Sequence, residues 1–337
     1  MKRLLMTQVM AALLGAVPAL AEMPAPVAPE PIYAIPTRPD RAGRVLAPVV
    51  VDGYGPVRFL VDTGCSGTMV GLHIARALGF NPPPAPDGTA LPADVTVNNN
   101  LMRVHDVLGP VIMPTMRVGR IDMGRFAATD MVAPVLSLGD QSGAGGVLGT
   151  NSLMDRRLSV NFRRDEIRIE NSRRTAPLGH DTVRGSVHEA GLVIVPIEIG
   201  GVRAKALVDT GAERSMFNPS LLDKLTARGR QTELMGRIEI VNLAGERRLA
   251  EVHMLPGIRL GPITVSNLYA TLIDAHAFTA LGLEDEPAFI LGMDLLGMSD
   301  GFALDFGTGD LHLRVRTRTP ARWSAGSRVQ NVDARPG

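Results

Sequence analysis

The chain carries the five-residue pattern Leu-Val-Asp-Thr-Gly twice, and this repeat limits the folds open to it more than any other feature. FLVDTGCSG runs from Phe59 to Gly67, and KALVDTGAE runs from Lys205 to Glu213. In both copies apolar, strand-like residues lead into an Asp-Thr-Gly turn, and the two aspartates lie 147 positions apart. A single such tripeptide arises often by chance, but two copies followed by the same landmarks indicate a duplicated unit.

The landmarks around each acid recur in the same order. Each acid ends a predicted strand hairpin, because both arms are rich in β-branched residues and Gly200-Gly201 suits a two-residue turn. The paired segments are the hairpins Val45–Gly64 and Leu192–Gly211, the helix-like segments Gly71–Phe80 and Asn218–Gly229, the turns Ile121–Phe126 and Ile258–Ile263, and the apolar-apolar-Gly segments Gly146–Leu153 and Phe289–Leu296. The acid-to-glycine spacing is 87 residues (62 to 149) in one copy and 83 (209 to 292) in the other. The sequence therefore predicts a mainly β, bilobed fold whose two tandem lobes are related by a pseudo-two-fold axis.

The segments outside the repeat are interpreted by composition. Lys2 and Arg3 precede a short apolar run that ends in Ala19-Leu20-Ala21, which predicts a cleavable signal peptide over 1–21. An uncleaved anchor is the alternative, but the run is shorter than the roughly 20 residues that a span needs. We predict a Pro-rich arm over 22–43, lobe 1 over 44–172, lobe 2 over 185–316 and a disordered tail over 317–337. We therefore expect an exported, most simply periplasmic, protein with no membrane span after signal cleavage.

Composition excludes several function classes. A net charge of +1 and 4% aromatic residues offer neither a basic face nor base-stacking platforms, so no nucleic-acid partner is expected. The lone cysteine, Cys65, cannot form an internal disulfide, and Ala212 takes its place in the second copy, which favours a filler over a nucleophile. No paired metal-ligand spacing occurs, so we predict no metal and no cofactor. The Gly-rich segment Gly139–Gly149 lacks the lysine of a phosphate-binding loop and is interpreted as an ordinary loop.

The duplicated acid gives the strongest functional signal. A single acid at a strand end would be interpreted as a helix cap or turn residue. Equivalent loops near a pseudo-two-fold axis face each other, so Asp62 and Asp209 are expected to lie side by side. Two adjacent carboxyl groups cannot both ionise easily and share one proton. One can then take a proton from water while the other donates to a carbonyl oxygen.

The residues next to the acids fit this pairing. Gly64 and Gly211 allow the backbone to approach the carboxylates without a Cβ in the way. Thr63 and Thr210 carry a hydroxyl on a stiff stem that can hydrogen-bond to the opposite loop; β-propensity alone is the plainer explanation.

These motifs resemble the aspartic protease clan, specifically its retropepsin-like branch. The resemblance rests on the two DTG turns and on Val147-Leu148-Gly149 and Ile290-Leu291-Gly292, and it spans nearly all of residues 45–316. It implies that Asp62 and Asp209 are catalytic, that Thr63 and Thr210 form an interlocking hydroxyl bridge beneath them, and that each apolar-apolar-Gly segment packs beside its own DTG loop. One chain would supply both acids, so the implied protein is a monomer that cleaves an extended peptide or protein segment.

The sequence departs from the family at the flaps that would cover the cleft. None of the three tyrosines is placed as a flap tyrosine, and Asn242-Leu243-Ala244-Gly245 is the predicted flap tip of lobe 2, with an ordinary hairpin turn as the alternative. The flap of lobe 1 cannot be placed. Two other interpretations stay open: a non-catalytic peptide-binding or scaffolding module with this fold, and a chain whose halves pair only in a dimer.

Overall fold

The computed structural model describes residues 45–81, 101–136, 144–241 and 247–315. Within these residues the chain is mainly β, as the repeat predicts, and the strands fall into two halves. The predicted signal peptide, Pro-rich arm, C-terminal tail and lobe 2 flap tip (242–245) lie outside the described residues. No helix in the described ranges is both long and apolar enough to cross a membrane.

The first half forms a seven-stranded sheet in the order β1-β2-β7-β3-β6-β5-β4, with β1 also pairing with β5. Its strands are β1 (Leu46–Val51), β2 (Tyr54–Val61), β3 (Met69–Gly71), β4 (Leu101–His105), β5 (Pro110–Met123), β6 (Phe126–Leu136) and β7 (Gly146–Leu148). Helix α1 (Leu72–Ala77) follows β3, and a 3-10 turn (Thr150–Ser152) follows β7. The hairpin β8 (Arg156–Asn161) and β9 (Glu166–Asn171) then leaves this sheet.

The second half repeats this order in a ten-stranded sheet. Its strands are β11 (Ser186–Val187), β12 (Val193–Ile199), β13 (Val202–Val208), β14 (Met216–Phe217), β15 (Glu233–Val241), β16 (Arg247–Leu255), β17 (Ile258–Leu260), β18 (Ile263–Val265), β19 (Leu268–Leu272) and β20 (Ala288–Leu291). Its helices are α2 (Pro219–Ala227), α3 (His276–Ala280) and α4 (Met293–Leu296).

Local chemistry explains the elements that recur. The β12–β13 turn needs two left-handed residues, and Gly200 and Gly201 supply them with φ of 54° and 85°. Helix α2 begins after Asn218, whose side chain accepts the Leu221 amide at 3.0 Å, with Pro219 at its first position. These are the hairpin and the helix that the sequence predicts for the second copy.

A third sheet joins the halves, and the sequence does not indicate it. Its order is β10-β22-β21-β8-β9, where β10 (Asp181–Val183) comes from the linker and the hairpin β21 (Gly301–Asp305) and β22 (Leu311–Arg314) ends the second half. The predicted ranges 44–172 and 185–316 thus each end in a hairpin of this shared sheet. A buried ion pair between Arg157 and Asp305, 2.9 Å long, crosses between the two halves within it. One buried apolar cluster extends through both halves and this sheet.

Candidate active site

Each DTG aspartate stands where a strand ends beside a parallel neighbour. Strand β2 runs parallel to β7 with Val61 opposite Leu148, and β13 runs parallel to β20 with Val208 opposite Leu291. The Asp62 amide donates to the Leu148 carbonyl at 3.1 Å, and the Asp209 amide donates to the Leu291 carbonyl at 3.0 Å. Because carboxyl ends of parallel strands meet at one edge, each acid emerges beside its own apolar-apolar-Gly segment, as the resemblance implies.

The structure brings the two carboxyl groups together. Both side chains line the same cleft, and the charge of Asp209 acts directly on Asp62. Each glycine of a DTG loop lies against the opposite acid: a Cβ on Gly64 would stand 2.5 Å from Oδ2 of Asp209, and one on Gly211 would stand 2.6 Å from Oδ1 of Asp62. Real Cβ atoms do not come this close to other heavy atoms, so only glycine at both positions leaves room for the pair.

Backbone amides and burial set the charge of the pair. Asp62 accepts the Gly64 amide at 2.9 Å, whereas one oxygen of Asp209 accepts both the Gly211 amide at 2.8 Å and the Ala212 amide at 3.1 Å. Burial, reinforced by the neighbouring charge of Asp209, raises the pKa of Asp62 well above its usual 3.8. Burial also raises the pKa of Asp209, while its amide donors oppose that rise. The pair therefore holds one proton into a higher pH range than free carboxyl groups do.

Beneath the acids the two threonines interlock across the halves. The Thr63 hydroxyl donates to the Val208 carbonyl at 2.7 Å and accepts the Thr210 amide at 3.0 Å. Symmetrically, the Thr210 hydroxyl donates to the Val61 carbonyl at 2.6 Å and accepts the Thr63 amide at 3.2 Å. Both threonines have no exposed surface. Four hydrogen bonds thus fix one DTG loop against the other, which β-propensity alone does not explain.

A second pair of contacts, missed at the sequence level, fixes each acid loop to its glycine segment. In lobe 1 the Thr68 hydroxyl donates to Asn151 at 2.8 Å and accepts the Gly149 amide at 3.0 Å. In lobe 2 the Ser215 hydroxyl donates to Asp294 at 2.6 Å and accepts the Gly292 amide at 3.1 Å.

A sequence signal for these contacts exists. A hydroxyl residue stands six positions after each aspartate, and an Asn or Asp stands two positions after each glycine. The two copies differ in charge, because Asn151 is neutral whereas Asp294 is a carboxyl whose pKa is raised by burial.

The lobe 1 flap that the sequence could not place is the β4–β5 hairpin. Its turn spans Asp106–Gly109, where the Asp106 amide donates to the Gly109 carbonyl at 2.9 Å. Asp106-Val107-Leu108-Gly109 has the same polar-x-x-Gly form as Asn242-Leu243-Ala244-Gly245, which was the signal available. The hairpin β15–β16 flanks the latter residues, which themselves lie outside the described part of the chain.

This flap reaches over the cleft to the opposite half. Val107 and Leu108 pack against the apolar cluster around Phe278, and the Val107 carbonyl accepts the His276 amide at 3.0 Å. The imidazoles of His105 and His276 stack at 15° and share a hydrogen bond of 2.7 Å between Nδ1 and Nε2. The β4–β5 hairpin is thereby attached to helix α3, which was not predicted from the sequence.

The acids line a cleft of about 600 Å³ between the halves. A second cavity of about 320 Å³ shares part of its lining with the cleft, including Cys65 and His105. The Cys65 thiol donates to the Gly67 carbonyl at 3.0 Å, and burial raises its pKa, so it is held as the thiol rather than the nucleophilic thiolate. Within the described residues, no group of three His, Cys, Asp or Glu side chains is arranged to hold a metal ion.

Comparison with known families agrees with this geometry. The aspartyl protease family model matches residues 47–152 and 195–295, which is more than half of the chain and leaves one match in each half. The chain belongs to the aspartyl protease family. Both matched stretches of this family member contain a DTG turn and an apolar-apolar-Gly segment, so the duplication is a pair of retropepsin-like units in one polypeptide. No curated protein matches the chain.

Proposed function

We propose that this member of the aspartyl protease family is an exported endopeptidase that hydrolyses peptide bonds with the Asp62–Asp209 pair. The observation that carries the proposal is the position of the two carboxyl groups in one cleft, each against the glycine of the opposite DTG loop, with the pKa of both raised. Such a pair holds one proton, and hydrolysis by water needs one base and one acid at the same carbonyl group.

The surroundings of the two acids favour opposite roles. Asp209 accepts more backbone amides and is the better carboxylate, so it takes a proton from the attacking water. Asp62, which accepts the Gly64 amide alone, donates its proton to the carbonyl oxygen as the water oxygen bonds to the carbon. In the resulting tetrahedral diol, Asp209 carries the proton and Asp62 is ionised. Asp209 then protonates the amide nitrogen as the C–N bond breaks, and a diol hydroxyl returns its proton to Asp62.

The cleft fits an extended peptide segment as substrate. Its walls combine both halves, with an apolar set consisting of Met69, Leu207, Met216, Ile238, Ile240 and Ile290. An extended peptide can pair its backbone with the flap hairpins and place alternate side chains against such surfaces. The signal-like residues 1–21 support export to the periplasm, where the substrates would be exported proteins. A monomer suffices, because both acids and both threonines belong to one chain.

The test compares the parent protein with Asp62→Asn and Asp209→Asn on a mixture of unfolded peptides from pH 3 to 7, with products identified by mass spectrometry. Asp223→Asn is the matched control, since Asp223 is an exposed acid on helix α2. We expect cleavage by the parent and the control and a loss of at least about 1000-fold in each dyad variant. A folded parent that cuts nothing in this range would overturn the proposal and favour a peptide-binding module. Retained cleavage in either dyad variant would overturn the assigned mechanism.

A further inference from the structure

The shared sheet has an outer face that the peptidase mechanism does not use. Leu158, Val160 and Phe302 are buried in the apolar cluster, so the residues that alternate with them along the same strands face the other way. A cavity of about 380 Å³, here called the outer cavity, lies on this side between the β8–β9 hairpin, the β21–β22 hairpin and the linker from residue 173 to residue 180. Among the described residues, it shares no lining side chain with the cleft that holds the two acids.

Small residues leave the floor of the outer cavity open. Strand β21 places Gly301 opposite Asn161 of β8 and opposite Arg314 of β22. A Cβ on Gly301 would stand 2.4 Å from the Val160 carbonyl oxygen, so no larger residue fits there. Arg314 and Asn161 therefore border the cavity on either side of bare backbone. Ser159, two residues before Asn161, adds a hydroxyl group to the lining.

Arginines dominate the charged groups around this floor, with five of them in the lining against three acids. Each of the three acids already has an arginine partner, the pairs being Glu166 with Arg168, Glu170 with Arg173 and Asp300 with Arg163. Arg164 and Arg314 form no ion pair with any described residue. The outer cavity therefore carries excess positive charge. The near-zero net charge of the chain does not reveal it, because the arginines lie in separate segments.

One arginine of the outer cavity is nearly buried and still has hydrogens to donate. The Arg157 side chain is only 4% exposed, and its Nε and Nη2 groups bind Asp305 and the Arg173 carbonyl. Its Nη1 group has no hydrogen-bond acceptor among the described residues. A guanidinium group is always charged, and buried donors are nearly always hydrogen-bonded. Because Arg157 lines the outer cavity, a ligand with acceptor oxygens can complete its hydrogen bonds there.

The positive charges act together on the linker wall of the outer cavity. Burial lowers the pKa of the His180 imidazole, and the charges of Arg314 and Arg157 lower it as well, against the opposing carbonyl groups of the linker. These two arginines stand on different strands, so their common effect on one imidazole shows that both charges are felt at the same side of the cavity. An anion bound there would offset both.

We propose that the outer cavity binds a phosphate group, held by Arg157, Arg164 and Arg314 with the Ser159 hydroxyl as a further donor. A phosphate monoester carries nearly two negative charges at neutral pH, and its tetrahedral oxygens accept hydrogen bonds from several directions at once. A carboxylate has one charge and a planar pair of oxygens, and a cation would meet unpaired arginines. A volume of about 380 Å³ exceeds the need of a free ion and lies in the range of small-molecule sites. The phosphate group therefore belongs to a small soluble monoester or to a lipid headgroup.

The test is isothermal titration calorimetry of the full chain with glycerol 3-phosphate at constant ionic strength, with glycerol and acetate as comparison ligands. Arg164→Gln and Arg314→Gln should each weaken binding of glycerol 3-phosphate by about 10-fold or more, because each removes a charged donor. Ser159→Leu fills the floor without changing any charge and should abolish binding. Arg230→Gln is the matched control, since it removes an exposed arginine outside the outer cavity and should leave the affinity unchanged.

Vesicles distinguish the two sources of the phosphate group. The same variants are sedimented with phosphatidylcholine vesicles that contain or lack phosphatidic acid. Binding to phosphatidic acid that depends on Arg164 and Arg314 assigns a lipid headgroup, whereas binding of glycerol 3-phosphate alone assigns a soluble monoester.

Three results would overturn the proposal: binding of neither probe, equal binding by the parent, Arg164→Gln and Arg314→Gln, or acetate bound as tightly as glycerol 3-phosphate. Arg164 is an exposed turn residue, so Arg164→Gln tests the site even if the bulkier Ser159→Leu does not fold. The dyad is untouched in all these variants, so the outcome is independent of peptidase activity.

Discussion

Replacing Thr63 by valine removes one half of the bridge beneath the dyad while keeping the shape of the side chain. The Thr63 hydroxyl serves two backbone groups of the other half, the Val208 carbonyl and the Thr210 amide. Valine can bond to neither of them. Since Thr63 has no exposed surface, water cannot take the place of the hydroxyl without a rearrangement.

The cost follows from these two contacts. A buried backbone donor or acceptor that loses its partner costs about 1–3 kcal/mol. With two groups affected and a small gain from the added methyl, we expect the free energy of unfolding to fall by about 2–4 kcal/mol. Thr63→Ser keeps the hydroxyl and loses only a methyl group, so its cost should stay near about 1 kcal/mol.

Urea unfolding followed by circular dichroism measures these differences. Thr264→Val is the matched control, because Thr264 is an exposed strand residue of β18 and should change the free energy of unfolding by less than about 0.5 kcal/mol. The peptidase activity of Thr63→Val should fall as well, since the loop that carries Asp62 loses its fixed position.

The free energies of unfolding of Thr63→Val and Thr63→Ser together show whether hydrogen bonding or packing accounts for the loss of stability. If Thr63→Val unfolds with the same free energy as the parent, the hydroxyl bridge does not join the halves. If valine and serine cost the same, packing of the methyl group and not hydrogen bonding accounts for the loss.

Three further predictions concern the acids and the flap. Asp62→Asn should raise the melting temperature at neutral pH. Because the pKa of Asp62 is raised in the folded state, the stability of the parent falls as pH rises above about 4. The gain in melting temperature should therefore vanish in scans below that pH, and a variant less stable than the parent at pH 7 would contradict the prediction. Gly64→Ala should lower kcat by about 100-fold, because the new Cβ would meet the carboxyl group of Asp209. Gly67→Ala should keep near-parental activity, because a Cβ at Gly67 would meet no atom within 4 Å and the residue has no left-handed φ. Equal effects of the two changes would count against the close approach of Gly64 to Asp209. Burial and the charges of His276 and Arg103 hold the pKa of His105 below 6.5. The KM should rise as pH falls through this pKa, because two charged imidazoles cannot share the 2.7 Å bond in a site that Asp106 also borders. The His276→Phe variant should show no such pH dependence of the KM, and an unchanged dependence in this variant would contradict the role of the histidine pair.

The features that can be predicted from the sequence are local ones. The hairpins that lead into Asp62 and Asp209, helix α2 and the paired apolar-apolar-Gly segments all follow from short patterns. The family match and the fold class confirm the interpretation as a duplicated member of the aspartyl protease family. The lobe 1 flap was missed because 19 residues of other composition (82–100) precede it and separate it from its DTG turn. The contacts of Thr68 and Ser215 were missed because a single hydroxyl residue after a turn has many explanations.

Two copies of one β unit, each with a strand that ends in an acid, can be recognised from the sequence alone, since strand alternation and turn residues act over a few positions. The folded structure is needed to show that the two carboxyl groups share one cleft, that their pKa values rise, that the threonines interlock and that the β4–β5 flap lies on helix α3. These features depend on atoms about 150 positions apart, and their positions are fixed by the shared sheet and by burial from both halves together.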